Sequence, residues 1–224
     1  MNCVGHHRSR RAIVAGERPR LVMLAAVLIA AATVARAQIV DRILAVVGGT
    51  PITLSDVDAA IRFGLVPVDR GAPDARRAAL ERLIDRQLQL SEVDRYLPPE
   101  PPAAEIDAQV ADVRARFASP ETFEAALRET GMTPAALRAS LRDSLRIASY
   151  LRQRFGAGYS PNDDEVLAYY RTHQPEFTRN GVVQPYADAR DEARKKLMAE
   201  RSAALVNDWI AGLRRRVDVT ILPK

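Results

Sequence analysis

The sequence has almost no cysteine and few aromatic residues. Its 224 residues include one cysteine, Cys3, and aromatic residues make up 5%. Because a single thiol cannot form a disulfide within the chain, packing alone has to hold the fold together. Hydrophobic residues amount to 47%, which supplies a core built mainly from Leu, Val, Ile and Ala and excludes a disordered chain.

The chain also lacks the residue sets of most catalytic sites. Its histidines are His6, His7 and His173, and it has no GxxxxGK[ST] phosphate loop. We interpret His173 as the C-terminal end of a helix, since it has no partner for a metal cluster or a nucleophile pair. The acidic run Asp163–Glu165 is interpreted as a first helical turn, where the dipole favours negative charge. The sequence therefore predicts no catalytic residue, no metal and no cofactor.

Net positive charge is missing from most of the chain. The formal charge is +5, and residues 1–37 carry all of it, with six arginines against Glu17. Removing these from the totals of 33 basic and 28 acidic residues leaves 27 of each. Residues 38–224 therefore have no net charge that would attract the phosphates of a nucleic acid, so we predict no nucleic-acid partner.

Residues 1–37 have the pattern of an export signal. Leu21–Val34 are uncharged and mostly apolar, they follow positive charges, and Ala35-Arg36-Ala37 matches an A-x-A cleavage site. A membrane-spanning helix needs about 20 residues, so this shorter run favours a cleaved signal peptide. We expect cleavage between Ala37 and Gln38, with no stable membrane insertion afterwards. The alternative is a chain anchored in the inner membrane by its leader.

The remaining sequence predicts a mostly α fold with a small β-sheet. Ile43–Val47 has the composition of a buried strand, Gly48-Gly49 of a tight turn and Pro51–Thr53 of a short return strand. Ser55 is the predicted cap of the helix that follows. Apolar and polar residues alternate over 217–222, which predicts a third strand that pairs with the hairpin and brings the two ends together.

Helices are predicted over most of the chain between these strands. Leu97–Pro102 separates two of them, because proline cannot continue a helix. Three Ser/Thr-Pro pairs, at residues 119, 133 and 160, place a capping hydroxyl before a proline, which is typical of a helix start. The predicted helices are 74–97, one with its apolar seam over 106–117, 120–129, 134–155, 161–173 and a closing helix at about 186–215. The packing residues predicted for the closing helix are Leu197, Leu205, Trp209 and Leu213.

The chain contains four stretches that carry a family likeness: Val40–Asp58, Arg76–Val93, Ser160–Thr178 and Pro185–Leu222. They resemble the SurA-like family of periplasmic chaperones. In that family one or two parvulin-type prolyl isomerase domains typically lie between the last two stretches, and here only a few residues do. The resemblance implies a helical, periplasmic chaperone domain, 38–224, that lacks the isomerase and is not an enzyme.

The expected function is to hold unfolded proteins, without ATP, in an apolar cradle of helices. The resemblance implies outer-membrane proteins as clients. The candidate client-binding residues are Tyr159, Tyr169, Tyr170 and Tyr186. Because neighbours on a helix point about 100° apart, we expect one ring of the Tyr169-Tyr170 pair in the core and the other partly exposed. Two alternatives stay open: a non-catalytic subunit with one dedicated envelope partner, and a divergent peptidyl-prolyl isomerase.

Overall fold

A computed structural model describes Met1, residues 41–156 and residues 160–223. The predicted signal peptide, its cleavage site at Ala37 and Gln38, and Tyr159 lie outside the described residues. The elements all belong to one unit, Asp41–Lys224. They are β1 (Ile43–Val47), β2 (Thr50–Thr53), α1 (Leu54–Phe63), α2 (Ala75–Tyr96), α3 (Ala103–Arg114), α4 (Pro120–Thr130), α5 (Pro134–Phe155), α6 (Asp163–Thr172), a 3-10 helix (Gln174–Phe177), β3 (Thr178–Arg179), β4 (Val182–Val183), α7 (Tyr186–Arg216) and β5 (Val219–Ile221).

These elements confirm the mostly helical fold with a small antiparallel sheet. The helix predicted to extend through Phe117 ends at Arg114, because the chain turns there and Phe117 packs against Phe63 from the turn. Of the helices described, none has the length and apolar character needed to cross a membrane.

The three-stranded sheet joins the first and last described elements. Its strand order is β2-β1-β5, with both pairs antiparallel. Gly48 and Gly49 turn the chain with φ values of 55° and 86°, which glycine adopts without steric cost. The predicted C-terminal strand is confirmed: Ile221 lies opposite Ala45, although the paired part is shorter than predicted, Val219–Ile221.

Two helix starts differ from the sequence prediction. Helix α1 begins after Thr53 rather than after Ser55, and α6 begins after Asn162 rather than after Ser160. At both starts the cap side chain accepts a hydrogen bond from the amide three residues later, and the acidic side chain there accepts one from the amide of the cap. This arrangement, a capping box, gives a hydrogen-bond partner to two backbone amides at once. Among neighbouring Ser, Thr and Asn residues, the one that can form the box therefore becomes the cap. The starts of α4 and α5 are as predicted.

Ser55 has a different role, because it ties α1 to the residues before β1. Its Oγ donates a hydrogen bond to Asp41 Oδ2, and its amide donates to Asp41 Oδ1 at 3.2 Å. Burial raises the pKa of the Asp41 carboxyl, but the hydrogen bonds from Ser55 and Thr53 oppose this and the pKa lies below its usual value.

Replacing Asp41 with asparagine is expected to cost about 1 kcal/mol of unfolding free energy at pH 7, since the hydrogen bonds are to a charged but partly solvated group. Because the folded-state pKa is lowered, this stabilisation is present above the unfolded pKa of about 3.9 and is lost as the pH falls through the folded pKa. Urea unfolding from neutral to acidic pH should show the wild-type and Asp41→Asn curves converging in acid. Ser55→Ala is the matched variant, and a fully additive loss in the double variant would contradict this pairing.

Buried apolar side chains form four clusters along the described chain. The first joins the sheet to α1, α2 and the C-terminal end of α7, and the second joins α1 to α3, α4 and α5. The third joins α6 and the 3-10 helix to the N-terminal half of α7, and the fourth joins α2 and α5 to Trp209. Helix α7 therefore packs at both ends, whereas no side chain from 198 to 212 is buried. The prediction that Leu205 packs is wrong. Its side chain is 48% exposed, because it lies in the middle part of α7, between the two ends that pack in buried clusters.

A second hairpin, absent from the sequence prediction, follows the 3-10 helix. Strands β3 and β4 pair Thr178 with Val183, and the turn residues Asn180 and Gly181 have φ values of 52° and 78°. Two consecutive positive φ values are what a two-residue hairpin turn requires, and Asn-Gly is the commonest sequence for it. The hairpin brings the chain directly from the 3-10 helix to α7.

Candidate functional site

Two clefts with mainly apolar walls lie on either side of Arg86, a residue of α2. The first cleft has a volume of about 280 Å³ and lies between α2, α5, α7 and the loop that follows α1. The second cleft has a volume of about 370 Å³ and lies between α2, α5, α1 and β2. Apolar side chains of the first cleft are Leu65, Val66, Ile147, Ala148, Leu151 and Ile210. Those of the second include Ile52, Leu83, Leu90, Met132 and Ala139.

The walls of the first cleft come from helix faces that adjoin the core without being enclosed by it. On α5, Ile147 is buried in the fourth cluster, whereas Ala148 and Leu151 are half-buried. On α7, Leu213 is buried in the first cluster, whereas Ile210 is half-buried and contributes to none of the four clusters. The core therefore fixes the helices, and the neighbouring apolar side chains remain accessible for contact with another molecule.

Arg86 separates the clefts and joins the two helices that form them. Its Nη1 donates a hydrogen bond to Ser144 Oγ at 2.8 Å, and its Nη2 donates to the Ser140 carbonyl at 2.6 Å. Burial lowers the pKa of the Arg86 guanidinium, and the charge of Asp143 opposes this effect. Arg86 thus holds α5 at a set distance from α2, which keeps both clefts open.

The chemistry of the clefts is apolar contact with charged side chains at the edges. Two of the carboxylates there pair with arginines: Asp85 lies 2.7 Å from Arg214, and Asp143 lies 3.0 Å from Arg142. The third, Asp56, accepts a hydrogen bond from the Thr53 amide at the start of α1. Within residues 41–156 and 160–223, no group of three or more His, Cys, Asp or Glu side chains could hold a metal ion. The apolar walls of both clefts suit binding of apolar side chains.

The tyrosines predicted to contact clients line neither cleft. Tyr170 is buried in the third cluster, and its hydroxyl donates a hydrogen bond to the Gln184 carbonyl. Tyr169 is half-buried and stacks on His173, with ring centroids 4.0 Å apart, and burial raises its pKa. Tyr186 is half-buried beside Tyr170. The expected division of the Tyr169-Tyr170 pair is confirmed, and their contact with clients stays a prediction.

The residues of the clefts were not identified as a site from the sequence. Ala148 and Leu151 follow the apolar periodicity of α5, which is equally typical of core residues. Ile210 gives a clearer signal, because it widens the apolar face of α7 beside Trp209 and Leu213 beyond a single packing seam. A wide apolar face on a helix that is polar elsewhere indicates contact with more than one neighbour.

Comparison with known proteins relates both sequence and fold to one group of chaperones. A family model described as the SurA-like N-terminal domain matches residues 20–151. A solved structure reported for the virulence factor PEB4 and the periplasmic protein Cj1289, two structurally related SurA-like chaperones of Campylobacter jejuni, matches with a TM-score of 0.51. The match has 13% sequence identity and covers 82% of this chain and 100% of the other, so the likeness is one of fold. No curated protein matches the chain.

Proposed function

Because the chain belongs to the SurA-like N-terminal domain family, we propose that it is a periplasmic chaperone that holds unfolded proteins without ATP. The observation that carries this proposal is the pair of clefts, whose apolar walls are fixed by the core and reachable from solvent. The periplasmic location is supported by the export pattern of residues 1–37 and by the description of the relative Cj1289 as a periplasmic protein.

The clefts would bind clients by removing apolar surface from water. Each 100 Å² of apolar surface so removed contributes about 2.5 kcal/mol before the cost of ordering the client is subtracted. Clefts of about 280 and 370 Å³ accept one or two side chains each, which gives modest affinity for any single segment. Clients can therefore leave without an energy source, which agrees with a sequence that has no phosphate-binding loop.

Unfolded outer-membrane proteins fit these clefts as clients. Their strands alternate apolar and polar residues, so an extended segment presents apolar side chains on one side only. Two clefts separated by Arg86 would accept such side chains in succession. Tyr169 and Tyr186 offer further apolar contact, since both rings are half-buried, whereas Tyr170 is occupied in the core. The proposed activity is binding alone.

A charged residue in the first cleft should weaken holding. Ile210→Glu would place a carboxylate where client side chains enter, and losing about 1.5 kcal/mol of apolar contact corresponds to about tenfold weaker binding. The assay dilutes a β-barrel protein from urea into buffer with the purified chain and follows aggregation by light scattering. Wild type should suppress aggregation, and Ile210→Glu should need a several-fold higher concentration to do so.

The matched control for this experiment lies on the same helix. Leu205 is exposed on α7 and lines neither cleft, so Leu205→Glu should leave holding unchanged. No suppression by wild type at molar excess would defeat the holding proposal. Capture from the cell envelope of one stoichiometric folded protein, instead of many unfolded ones, would favour a dedicated partner.

A further inference from the structure

Four arginines gather where the C-terminal ends of α1 and α3 meet. We call Arg62, Arg70, Arg114 and Arg116 the arginine cluster; all four are exposed. Some arginines elsewhere in the chain lie within a set of carboxylates: Arg214 pairs with two and Arg146 with three. In the part of the chain that the structure describes, no member of the cluster has a carboxylate within 4.0 Å. The cluster is therefore a local excess of positive charge on a body that is balanced overall.

Two guanidinium groups of the cluster converge on Gly64, the residue that ends α1. A Cβ atom at Gly64 would lie 2.7 Å from Arg70 Nη2 and 2.9 Å from Arg116 Nη1. The two nitrogens are thus no more than about 5.6 Å apart, the sum of these distances. Gly64 has a φ of 64°, so glycine both permits the turn and leaves room for the guanidinium groups. Two guanidinium groups this close form a geometry that an oxyanion can bridge.

The other two arginines lie over aromatic rings beside an apolar cleft. The Arg62 guanidinium lies 5.6 Å from the centre of the Phe117 ring, and the Arg114 guanidinium lies 5.2 Å from that of Phe123. A third cleft, of about 490 Å³, opens next to them and is lined by Arg114 and both phenylalanines, among others. An anion-binding group and an apolar cleft are therefore adjacent.

Stabilisation of the helix end accounts for only part of this arrangement. Arg116 donates a hydrogen bond to the Phe63 carbonyl at 3.4 Å, as a cation at a helix C-terminus should. Arg70 has no such bond to a described residue, and its charge repels that of Arg116, while neither guanidinium has a carboxylate of the described residues within 4.0 Å. One cation would be enough to stabilise the C-terminal end of α1. The arginine cluster has four, and their combined positive charge is suited to binding an anion from outside the chain.

We propose that the arginine cluster binds a carboxylate of a client segment, while an apolar side chain next to that carboxylate enters the third cleft. This inference rests on the proposed holding function and names a preferred client: an unfolded segment with Asp or Glu beside an apolar residue. An anionic membrane fits less well, because Phe123 is buried and Phe117 lies beneath a guanidinium instead of projecting towards a bilayer.

The test compares two labelled peptides that are identical except that every Glu in one is Gln in the other. Fluorescence anisotropy at low salt should show the wild-type chain binding the acidic peptide about tenfold more tightly, a preference that falls as salt is added. In the double variant Arg70→Ser/Arg116→Ser, the preference should fall to about twofold or less, with binding of the neutral peptide unchanged. Circular dichroism checks that the variant is folded.

A control variant removes the same charge elsewhere. Arg215 and Arg216 are exposed at the end of α7 and form no ion pair with other described residues, so Arg215→Ser/Arg216→Ser should keep the preference. An equal loss in this control would overturn the cluster as a site, as would an acidic preference that survives in Arg70→Ser/Arg116→Ser. Binding to phosphatidylglycerol vesicles through Arg70 and Arg116, without preference for the acidic peptide, would overturn the carboxylate assignment.

The same measurements separate this inference from the holding proposal. Binding of the neutral peptide with no gain from the acidic residues overturns the arginine cluster and leaves holding intact. Binding of neither peptide overturns both. A preserved acidic preference without suppression of aggregation supports the cluster and defeats holding alone.

Discussion

Replacing Phe63 with alanine is expected to lower the free energy of unfolding by about 3–5 kcal/mol, the usual cost of removing a buried aromatic ring. Phe63 is 1% exposed at the end of α1, and its ring centre lies 5.7 Å from that of Phe117 and 5.9 Å from that of Phe123. These rings join α1 to α4 and to the turn after α3. Helix α1, helix α4 and the turn after α3 are each held by other contacts. They cannot all move into the space that the Phe63 ring leaves, so a cavity would remain.

Urea unfolding followed by circular dichroism measures this loss. Phe155→Ala is the matched variant, since Phe155 is half-buried and its ring packs on Trp209, outside the four buried clusters. We expect it to cost about 1–2 kcal/mol, because less apolar surface returns to water. A loss below about 1 kcal/mol for Phe63→Ala would show that the second buried cluster closes around the missing ring.

Replacing Arg146 with methionine is expected to cost about 2 kcal/mol. Its side chain is 8% exposed on α5, with Nη1 2.8 Å from Asp94 and 3.7 Å from Asp143, and Nε 3.4 Å from Glu100. Removing one partner of a buried ion pair costs about 3–5 kcal/mol when the other charge stays enclosed. Here Asp94 and Glu100 are 57% and 63% exposed and regain water, which reduces the loss.

The neighbouring Arg142 provides the control for Arg146. It lies one turn earlier on α5, shares Asp143 and Glu100 as partners, and is 44% exposed. An exposed ion pair contributes about 0–1 kcal/mol, so Arg142→Met should be nearly neutral. Added salt should shrink the small effect of Arg142→Met more than that of Arg146→Met, because buried charges are screened less. Equal losses for the two variants would contradict the buried role of Arg146.

The sequence predicted the elements of this fold because its local signals are strong. The alternation over 217–222, the Gly48-Gly49 turn and the two Ser/Thr-Pro starts at 119 and 133 each match an element of the structure. The residues that cap the helices were less predictable. Thr53 and Ser55 both carry a hydroxyl that could cap α1, and Thr53 is the cap because it exchanges two hydrogen bonds with Asp56. The packing of Leu205 was predicted wrongly, since periodicity shows which residues share a face but not where a long helix loses its neighbours.

The candidate site was far less predictable than the fold. Its clefts arise from pairs of helices distant in sequence: Ile147 and Ile210 meet only because α5 and α7 both pack near α2. The arginine cluster likewise unites residues of α1, a loop and the end of α3, which no spacing in the sequence connects. Arg146 shows the same limit, because an arginine on a helix is ordinarily exposed, and two of its carboxylate partners, Asp94 and Glu100, come from other segments.

The pairing of Ala45 with Ile221 determines when the three-stranded sheet can be completed as the chain is synthesised. The two residues are 176 positions apart, so β1 has to wait for nearly the whole chain to be synthesised before β5 can cover its second side. Contacts of this span form late and leave incomplete chains prone to misassembly. Until β5 is available, β1 has one unpaired edge, and an edge of this kind can pair with another chain.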